Sequence, residues 1–309
     1  MADVFRNSAD VLKINNSEEA IGLIDSVLPS YPLLNALFSS AIKGYTYKTL
    51  LRTTLPSVDF RAENTGAENT KGAYSNEEVI AYYMDASWVL DKLISSRCEW
   101  GIDSCLAMEA KSHLEAAFQA IESQIFYGTG ASANGFNGIG QTLADTDEEM
   151  VVSAGGALSN VQTSVYAIKT GMRDCQLIWG QAGSLTMGQI EEQFINEGTG
   201  RFRAHTQEIA GYAGLQMGSA YSVGRLANID STSLLDDDDI SNLLSVFKAG
   251  KMPDFLVMNR SARKYLQQSR SATSPTGAPA PFPENAFGVP IIITDNITDT
   301  EAVLAAAGS

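Results

Sequence analysis

The sequence contains few of the residues on which catalytic and metal centres depend. Its 309 residues include two histidines and three cysteines, at His113, His205, Cys98, Cys105 and Cys175. Neither histidine has metal-ligand spacing to the other or to a cysteine, and the tripeptide HLE that begins with His113 is not an HExxH motif. We therefore expect no catalytic, cofactor-binding or metal-binding residues, and the scarcity of histidine argues against a Ser/His/Asp hydrolase.

The three cysteines form an odd set without a CxxC pair. Cys98 and Cys105 fall on a predicted helix, where a separation of two turns places them roughly 10 Å apart at about 1.5 Å per residue. That distance is too long for a disulfide bond. The sequence therefore predicts buried free thiols in a reducing cytoplasm.

Long apolar runs and a signal peptide are also missing. No window approaches the ~18 consecutive apolar residues that a transmembrane helix needs. The first twenty residues, MADVFRNSADVLKINNSEEA, carry four acidic side chains and no long apolar stretch. We expect neither a membrane span nor a secretory signal.

Positive charge is scarce as well. The chain has 21 Lys and Arg against 36 Asp and Glu, for a formal net charge of -15. Tight nucleic-acid binding needs clustered Lys and Arg to neutralise the phosphates, so direct, tight binding is not expected. An acidic wall can still enclose DNA.

Acidic clusters are the only support that the sequence gives to an enzyme of unrecognised class. The run at 236–239 lacks the alternating ligands, central glycine and terminal glutamate of an EF-hand, and it is typical of a solvated helix N-terminus. Two acidic pairs, Glu148 with Glu149 and Glu191 with Glu192, could in principle serve glycoside hydrolysis. Because adjacent residues do not face each other, the pairs give little support to that activity.

A long amphipathic helix over residues 93–127 is the clearest predicted element. Hydrophobic residues make up 44% of the chain, enough for a sizeable core, and those in this segment recur at helical spacing. Gly101 interrupts the first turns, and Gly128 ends the helix. A shorter amphipathic helix, SEEAIGLIDSVL, is predicted near the N-terminus with Ser17 as its N-cap, and its apolar stripe needs a partner surface.

Mixed helix and strand are predicted elsewhere, which gives an α+β fold class. TYKTLLRTTL indicates one strand of a long hairpin, and the polar segment after it indicates a flexible, solvent-facing loop. Within residues 160–230, glycine-punctuated strands are predicted in SVYAIKTG, CQLIWG, FRAHTQEIAGYAGLQMG and YSVGRLANID, with His205 in the third of these. Further predicted elements are a helix in DDDDISNLLSVFKAG, a strand in DFLVMN, a basic helix in RSARKYLQQSR, a proline-rich loop, and a final buried strand in which 291–293 are apolar on both faces.

Several segments resemble the major capsid proteins of tailed bacteriophages. The segment ending in R-x-A-N-I-D, the M-N-R core of a strand followed by a helix, the terminal FGVPIIITDNITDTEA and the junction of the long helix with GTGASANGFNGI carry the resemblance. The residues concerned in the first two motifs are Arg225, Ala227, Asn228, Ile229, Asp230, Met258, Asn259 and Arg260.

The resemblance implies an HK97-like capsid fold. Its expected parts are an N-terminal arm at 1–44, an extended β-hairpin loop at 45–86, a peripheral domain with a long spine helix at 87–155 and 290–309, and an axial domain at 156–289.

The implied function is that of a major capsid protein, a structural subunit and not an enzyme. It would assemble as pentamers and hexamers into an icosahedral head that encloses double-stranded DNA without sequence-specific binding, in the virion, after assembly in the host cytoplasm. A portal protein and a decoration protein are expected partners. No long charged helical segment precedes the arm, so a separate scaffolding protein is expected.

Two alternatives stay open at this point. An encapsulin-like nanocompartment subunit would keep the fold and enclose cargo enzyme in place of a genome. An enzyme of unrecognised class would use the acidic clusters. Lys71 lies in a loop suited to the lysine–asparagine cross-link of some relatives, but no acid catalyst can be assigned to it.

Overall fold

The computed structural model describes residues 8–15, 30–66, 68–130, 134–197, 200–272 and 278–305. The helices within these ranges are α1 Ser8–Asn15, α2 Pro32–Ala36, α3 Lys92–Ser95, α4 Ile102–Tyr127, α5 Ile139–Thr142, α6 Asp237–Ser245 and α7 Arg260–Ala272. The strands are β1 Ser39–Ala41, β2 Thr46–Thr54, β3 Ala73–Ile80, β4 Tyr82–Asp85, β5 Trp88–Asp91, β6 Val151–Ser153, β7 Thr163–Ile168, β8 Cys175–Trp179, β9 Thr186–Met187, β10 Glu191–Glu197, β11 Gly200–Gln207, β12 Ile209–Met217, β13 Val223–Ile229, β14 Phe255–Met258, β15 Asn285–Ala286 and β16 Val289–Ile293. The predicted mixture of helix and strand is confirmed, whereas the helix predicted in SEEAIGLIDSVL lies outside the described residues.

A six-stranded sheet in the order β15-β16-β14-β7-β13-β6 forms one part of the core. Every residue of β7, β13 and β14 is buried, which is the burial pattern of strands covered on both faces. Helix α6 packs on β13 and helix α7 packs on β7. These strands and both helices were predicted from the sequence and are confirmed.

A second sheet has the order β1-β8-β12-β4, with β9 also paired to β12. A third sheet has the order β10-β11-β5. The chain passes directly from this sheet to the second one, because β11 and β12 are consecutive strands that belong to different sheets. Helix α4 packs against both β12 and β5. The long helix therefore connects the two smaller sheets.

The predicted long helix is divided in two. Helix α3 is short, and α4 begins after Gly101, whose φ of 93° belongs to the left-handed region that glycine adopts readily. The 26 residues of α4 span about 39 Å at about 1.5 Å per residue. Both the interruption at Gly101 and the C-terminal end at Gly128 are confirmed.

The prediction of free thiols is wrong for Cys98 and Cys105. A disulfide bond joins them, with Cα atoms 6.6 Å apart, and Cys175 is a buried free cysteine as predicted. Because α4 begins at Ile102, Cys98 lies in the preceding turn and not on the helix. The turn at Gly101 shortens the separation that a continuous helix would have imposed.

The expected burial of the last strand on both faces is also wrong. Residues 291–293 of β16 are only half-buried. Strand β16 lies next to the edge of its sheet, where its outer neighbour β15 is two residues long. Because β15 pairs only with Val289 and Pro290, residues 291–293 have no described strand partner on that side.

Candidate assembly surfaces

Strands β2 and β3 form a hairpin that is a two-stranded sheet of its own, and none of its strand residues is fully buried. Its predicted hairpin structure is confirmed by the antiparallel register, which pairs Thr46 with Ile80 at the base and Arg52 with Tyr74 near the loop. A two-stranded ribbon is at best marginally stable in water without further packing. The hairpin is therefore suited to contacts outside its own subunit.

The loop that joins these strands exposes large apolar side chains. Val58 is 89% exposed, Phe60 is fully exposed, and Leu55 is more than two-thirds exposed. Leu50, on the adjoining strand β2, is exposed to the same extent. Exposed apolar patches of this kind mark protein–protein contact sites. The polar composition of the loop predicted a solvent-facing tip. It did not predict that large apolar side chains would also be exposed there.

The base of the hairpin is fixed to the second sheet. Ile42 and Ala81 pack with Ile178 of β8 in a small buried cluster. Gly214 of β12 permits close approach, because a Cβ atom there would lie 2.7 Å from the carbonyl oxygen of Ile80. The hairpin therefore packs on the second sheet at its base, while the apolar side chains of its loop are exposed.

A second exposed surface lies on β10 and β11. Phe194 is more than half exposed, and the guanidinium carbons of Arg201 and Arg203 lie 5.0 and 5.3 Å from its ring centroid. Strand β10 pairs with β11 on one side, and no other described strand pairs with it. Its outer edge offers backbone hydrogen-bonding groups to a partner.

The acidic pairs make ordinary structural contacts. Glu192 pairs with Lys92 at 2.5 Å, and this hydrogen bond lowers the pKa of Glu192. Glu149 accepts a hydrogen bond from the hydroxyl of Tyr221 at 3.0 Å. These contacts account for one member of each pair.

The two histidines lie on the predicted kinds of element. His113 is on α4, 3.5 Å from Glu109, and His205 is on β11 opposite Leu90. Across the ranges that the structure covers, no group of three or more His, Cys, Asp or Glu side chains could hold a metal ion. None of the described helices combines the length and hydropathy needed to cross a membrane.

The aspartate run begins α6, as predicted. Asp236 caps the helix by accepting a hydrogen bond from the backbone N–H of Asp239 at 2.8 Å, and Asp237 forms an ion pair with Arg270. Burial and the neighbouring Asp236 raise the pKa of Asp239 to about 6. The run is a helix N-terminus, as the sequence predicted.

Buried Glu122 on α4 joins three segments. Its Oε2 atom accepts hydrogen bonds from the backbone N–H groups of Leu33 at 2.9 Å and Leu34 at 3.4 Å. Its Oε1 atom accepts from the hydroxyl of Thr294 and from the side-chain amide of Asn296. Burial raises the pKa of Glu122, and the hydrogen bonds from Thr294 and Asn296 partly offset that effect. The carboxyl holds the segments before β1 and after β16 on the long helix.

The first resemblance motif holds the C-terminal segment in place. Arg225 forms an ion pair with Glu301 at 2.9 Å, with both side chains 7% exposed, and Glu301 also accepts from Tyr127 and Ser164 at 2.6 Å. Asn228 exchanges hydrogen bonds with the backbone of Leu304 at 2.8 and 2.9 Å. The sequence identified Arg225 and Asn228 through the motif but did not reveal these partners.

Two further motif residues, Asp230 and Asn259, accept hydrogen bonds that stabilise local turns. Asp230 accepts hydrogen bonds from the side chains of Thr232 and Gln162 and from nearby backbone groups, and these lower its pKa although burial opposes them. Asn259 accepts from the backbone N–H of Ala262 at 2.8 Å at the start of α7. The hydrogen bonds and the ion pair of these motif residues therefore stabilise the fold of the subunit itself.

Comparison with known proteins identifies the family. The sequence profile described as major capsid protein GP7 matches residues 29–305, which is most of the chain. The chain belongs to the major capsid protein GP7 family. No curated protein matches the sequence.

Three solved structures with the same fold are bacteriophage chains. A chain of bacteriophage Epsilon15 has a TM-score of 0.68 at 17% identity, with 98% of each chain covered. The bacteriophage JBD30 capsid has a TM-score of 0.53 at 10% identity, covering 93% of this chain and 97% of that one. A chain of Mycobacterium phage Adephagia has a TM-score of 0.50 at 12% identity, covering 73% and 98%.

These findings confirm the HK97-like capsid fold and the structural role. As a member of the GP7 family, this protein is a non-enzymatic subunit of a virion capsid, and it assembles with copies of itself. The family match favours a virion capsid over the nanocompartment and enzyme alternatives.

Proposed function

We propose that this capsid subunit assembles as pentamers and hexamers into an icosahedral head that encloses double-stranded DNA. The observation that carries the proposal is the β2–β3 hairpin, whose apolar tip is uncovered among the described residues of its own subunit. Closed shells are built from heterologous contacts, in which a patch on one subunit meets a different patch on the next. An extended hairpin with an apolar tip is suited to such a contact.

The proposed division of the chain follows the sequence resemblance. It consists of an N-terminal arm at 1–44, an extended loop at 45–86, a peripheral domain at 87–155 and 290–309, and an axial domain at 156–289. The hairpin over Thr46–Ile80 supports the second part, and α4 supports a spine helix in the third.

Charge supports enclosure of DNA without tight binding to it. The subunit has a formal net charge of -15, and neutralising DNA phosphates needs clustered Lys and Arg. We further propose a separate scaffolding protein, a portal protein and a decoration protein as partners. Assembly would take place in the host cytoplasm.

Electron microscopy of the purified chain, expressed alone and together with the proteins of its neighbouring genes, tests the proposal. Closed polyhedral particles or ring-shaped capsomers are the expected result, and the particle diameter distinguishes a genome container from a small cargo compartment. A uniformly monomeric protein under both conditions would contradict the proposal.

The variant Phe60→Ser tests the hairpin tip. Because burial of a phenylalanine contributes about 1.5–3 kcal/mol, each inter-subunit contact should weaken by roughly tenfold to a hundredfold, and the yield of particles should fall. Phe60 is fully exposed in the subunit, so the melting temperature of the unassembled chain should not change. Phe60→Leu, which keeps an apolar side chain, is the matched control and should assemble. Normal particle yield from Phe60→Ser would exclude the tip as a contact.

A further inference from the structure

The disulfide bond between Cys98 and Cys105 closes the turn from which α4 starts. Both cysteines are buried, and Gly101 lies between them as the N-cap of α4. Leu106, the neighbour of Cys105, packs with Trp88 in a satellite core under this end of the helix. The disulfide bond therefore restrains the turn at 98–101. The helix that follows this turn is fixed by the packing of Leu106, and the turn itself bends at Gly101.

Helix α1 docks on this same turn. The side-chain amide of Asn15 donates a hydrogen bond to the carbonyl oxygen of Arg97 at 2.8 Å. The backbone N–H of Glu99 donates to Oδ1 of Asn15 at 2.9 Å. These two backbone groups stand immediately before and after Cys98, so the disulfide bond holds the partners of Asn15 in register.

We propose that the Cys98–Cys105 pair is a redox-sensitive restraint on the docking of α1. In the dithiol state the turn samples more conformations, and α1 detaches more often. Oxidation to the disulfide holds the turn and keeps α1 docked. This inference rests on the proposed assembly in the host cytoplasm, where thiols are kept reduced and disulfides are rare.

The chemistry balances with a small-molecule oxidant. The two thiols lose two protons and two electrons and form one S–S bond, and molecular oxygen accepts them and becomes hydrogen peroxide. The bond would then form once particles leave the reducing cytoplasm. Newly assembled shells would have mobile α1 segments that become fixed after release.

Hydrogen exchange of the unassembled full-length chain, air-oxidised or treated with a phosphine reductant, tests the proposal. Because the disulfide closes a short loop, reduction should speed exchange in peptides that cover 8–15 and 97–101 by about tenfold or more. Exchange in β7, deep in the large sheet, should not change. Intact-mass measurement should show that reduction adds two hydrogen atoms.

Two variants complete the test. The double variant Cys98→Ser, Cys105→Ser should exchange like the reduced chain whether or not reductant is present. Cys175→Ala, which removes the buried free thiol, should keep the full response to reductant. The proposal is overturned if air oxidation forms no bond, if exchange at 8–15 ignores reduction, or if β7 responds equally. Because this readout uses unassembled subunits, its failure is distinct from a failure to form shells.

Discussion

The substitution Glu301→Gln should destabilise the subunit strongly although it changes few atoms. Glu301 is the partner of Arg225 in an ion pair where both side chains are 7% exposed. Glutamine keeps the size of the side chain and one hydrogen-bond acceptor. It removes the negative charge and leaves the Arg225 guanidinium buried without a compensating anion.

The expected loss of unfolding free energy is about 3–5 kcal/mol, the usual result of removing one partner from a buried ion pair. Hydrogen bonds contribute to this figure, since Glu301 also accepts from Ser164 and Tyr127 at 2.6 Å. Burial and the adjacent carboxylate both raise the pKa of Tyr127, so its hydroxyl remains a donor over the physiological range.

Urea unfolding of the unassembled chain, followed by circular dichroism, measures the loss as a shift in midpoint at constant slope. The matched control is Asp295→Asn, which breaks the Arg260–Asp295 pair at 2.7 Å with side chains 79% and 49% exposed. An exposed pair contributes about 0–1 kcal/mol, so this variant should stay close to the parent. A loss below about 1 kcal/mol for Glu301→Gln would refute the reasoning that the buried pair secures the C-terminal segment.

Two further predictions concern other buried contacts. Because burial raises the pKa of Glu122, its contribution to stability is present below the ordinary glutamate pKa and is lost as pH rises through the raised value. The stability difference between the parent and Glu122→Gln, measured by urea unfolding across pH, should therefore change with pH over that window, and a constant difference would contradict the raised pKa. Gly214→Ala should displace the base of the hairpin, since the new Cβ would lie 2.7 Å from the Ile80 carbonyl oxygen. It should cost about 1–3 kcal/mol by thermal or urea unfolding and lower particle yield, and an unchanged stability would show that the strands can separate without cost.

Local patterns predicted the elements with strong periodicity or clear ends. The ends of α4 follow from glycines, and α6 follows from aspartates at its start, because these signals act within a few residues of the backbone they control. Strand β10 was not predicted, since it is exposed on nearly every residue and shows no apolar alternation. The burial of residues 291–293 was overestimated, because a run of isoleucines indicates a strand but does not indicate which elements pack against it.

The disulfide bond shows how a small error in an element boundary becomes a large error in distance. A continuous helix would keep Cys98 and Cys105 about 10 Å apart at about 1.5 Å per residue. The start of α4 at Ile102 instead brings their Cα atoms within 6.6 Å. The glycine that interrupts the helix was recognised, but its effect on the cysteines depends on the direction in which the chain turns.

The sequence alone determined the class of protein, because the order of its segments and its motifs recur in capsid proteins and no catalytic pattern competes with them. It also determined the hairpin and the main helices, which depend on local preferences. Only the tertiary structure decided which partners the motif residues meet and which apolar residues stay exposed. Arg225 and Glu301 are 76 residues apart in the chain, and Glu122 and Thr294 are 172 apart. Contacts at such separations depend on how the sheets and the long helix pack, and local sequence carries no signal for that packing.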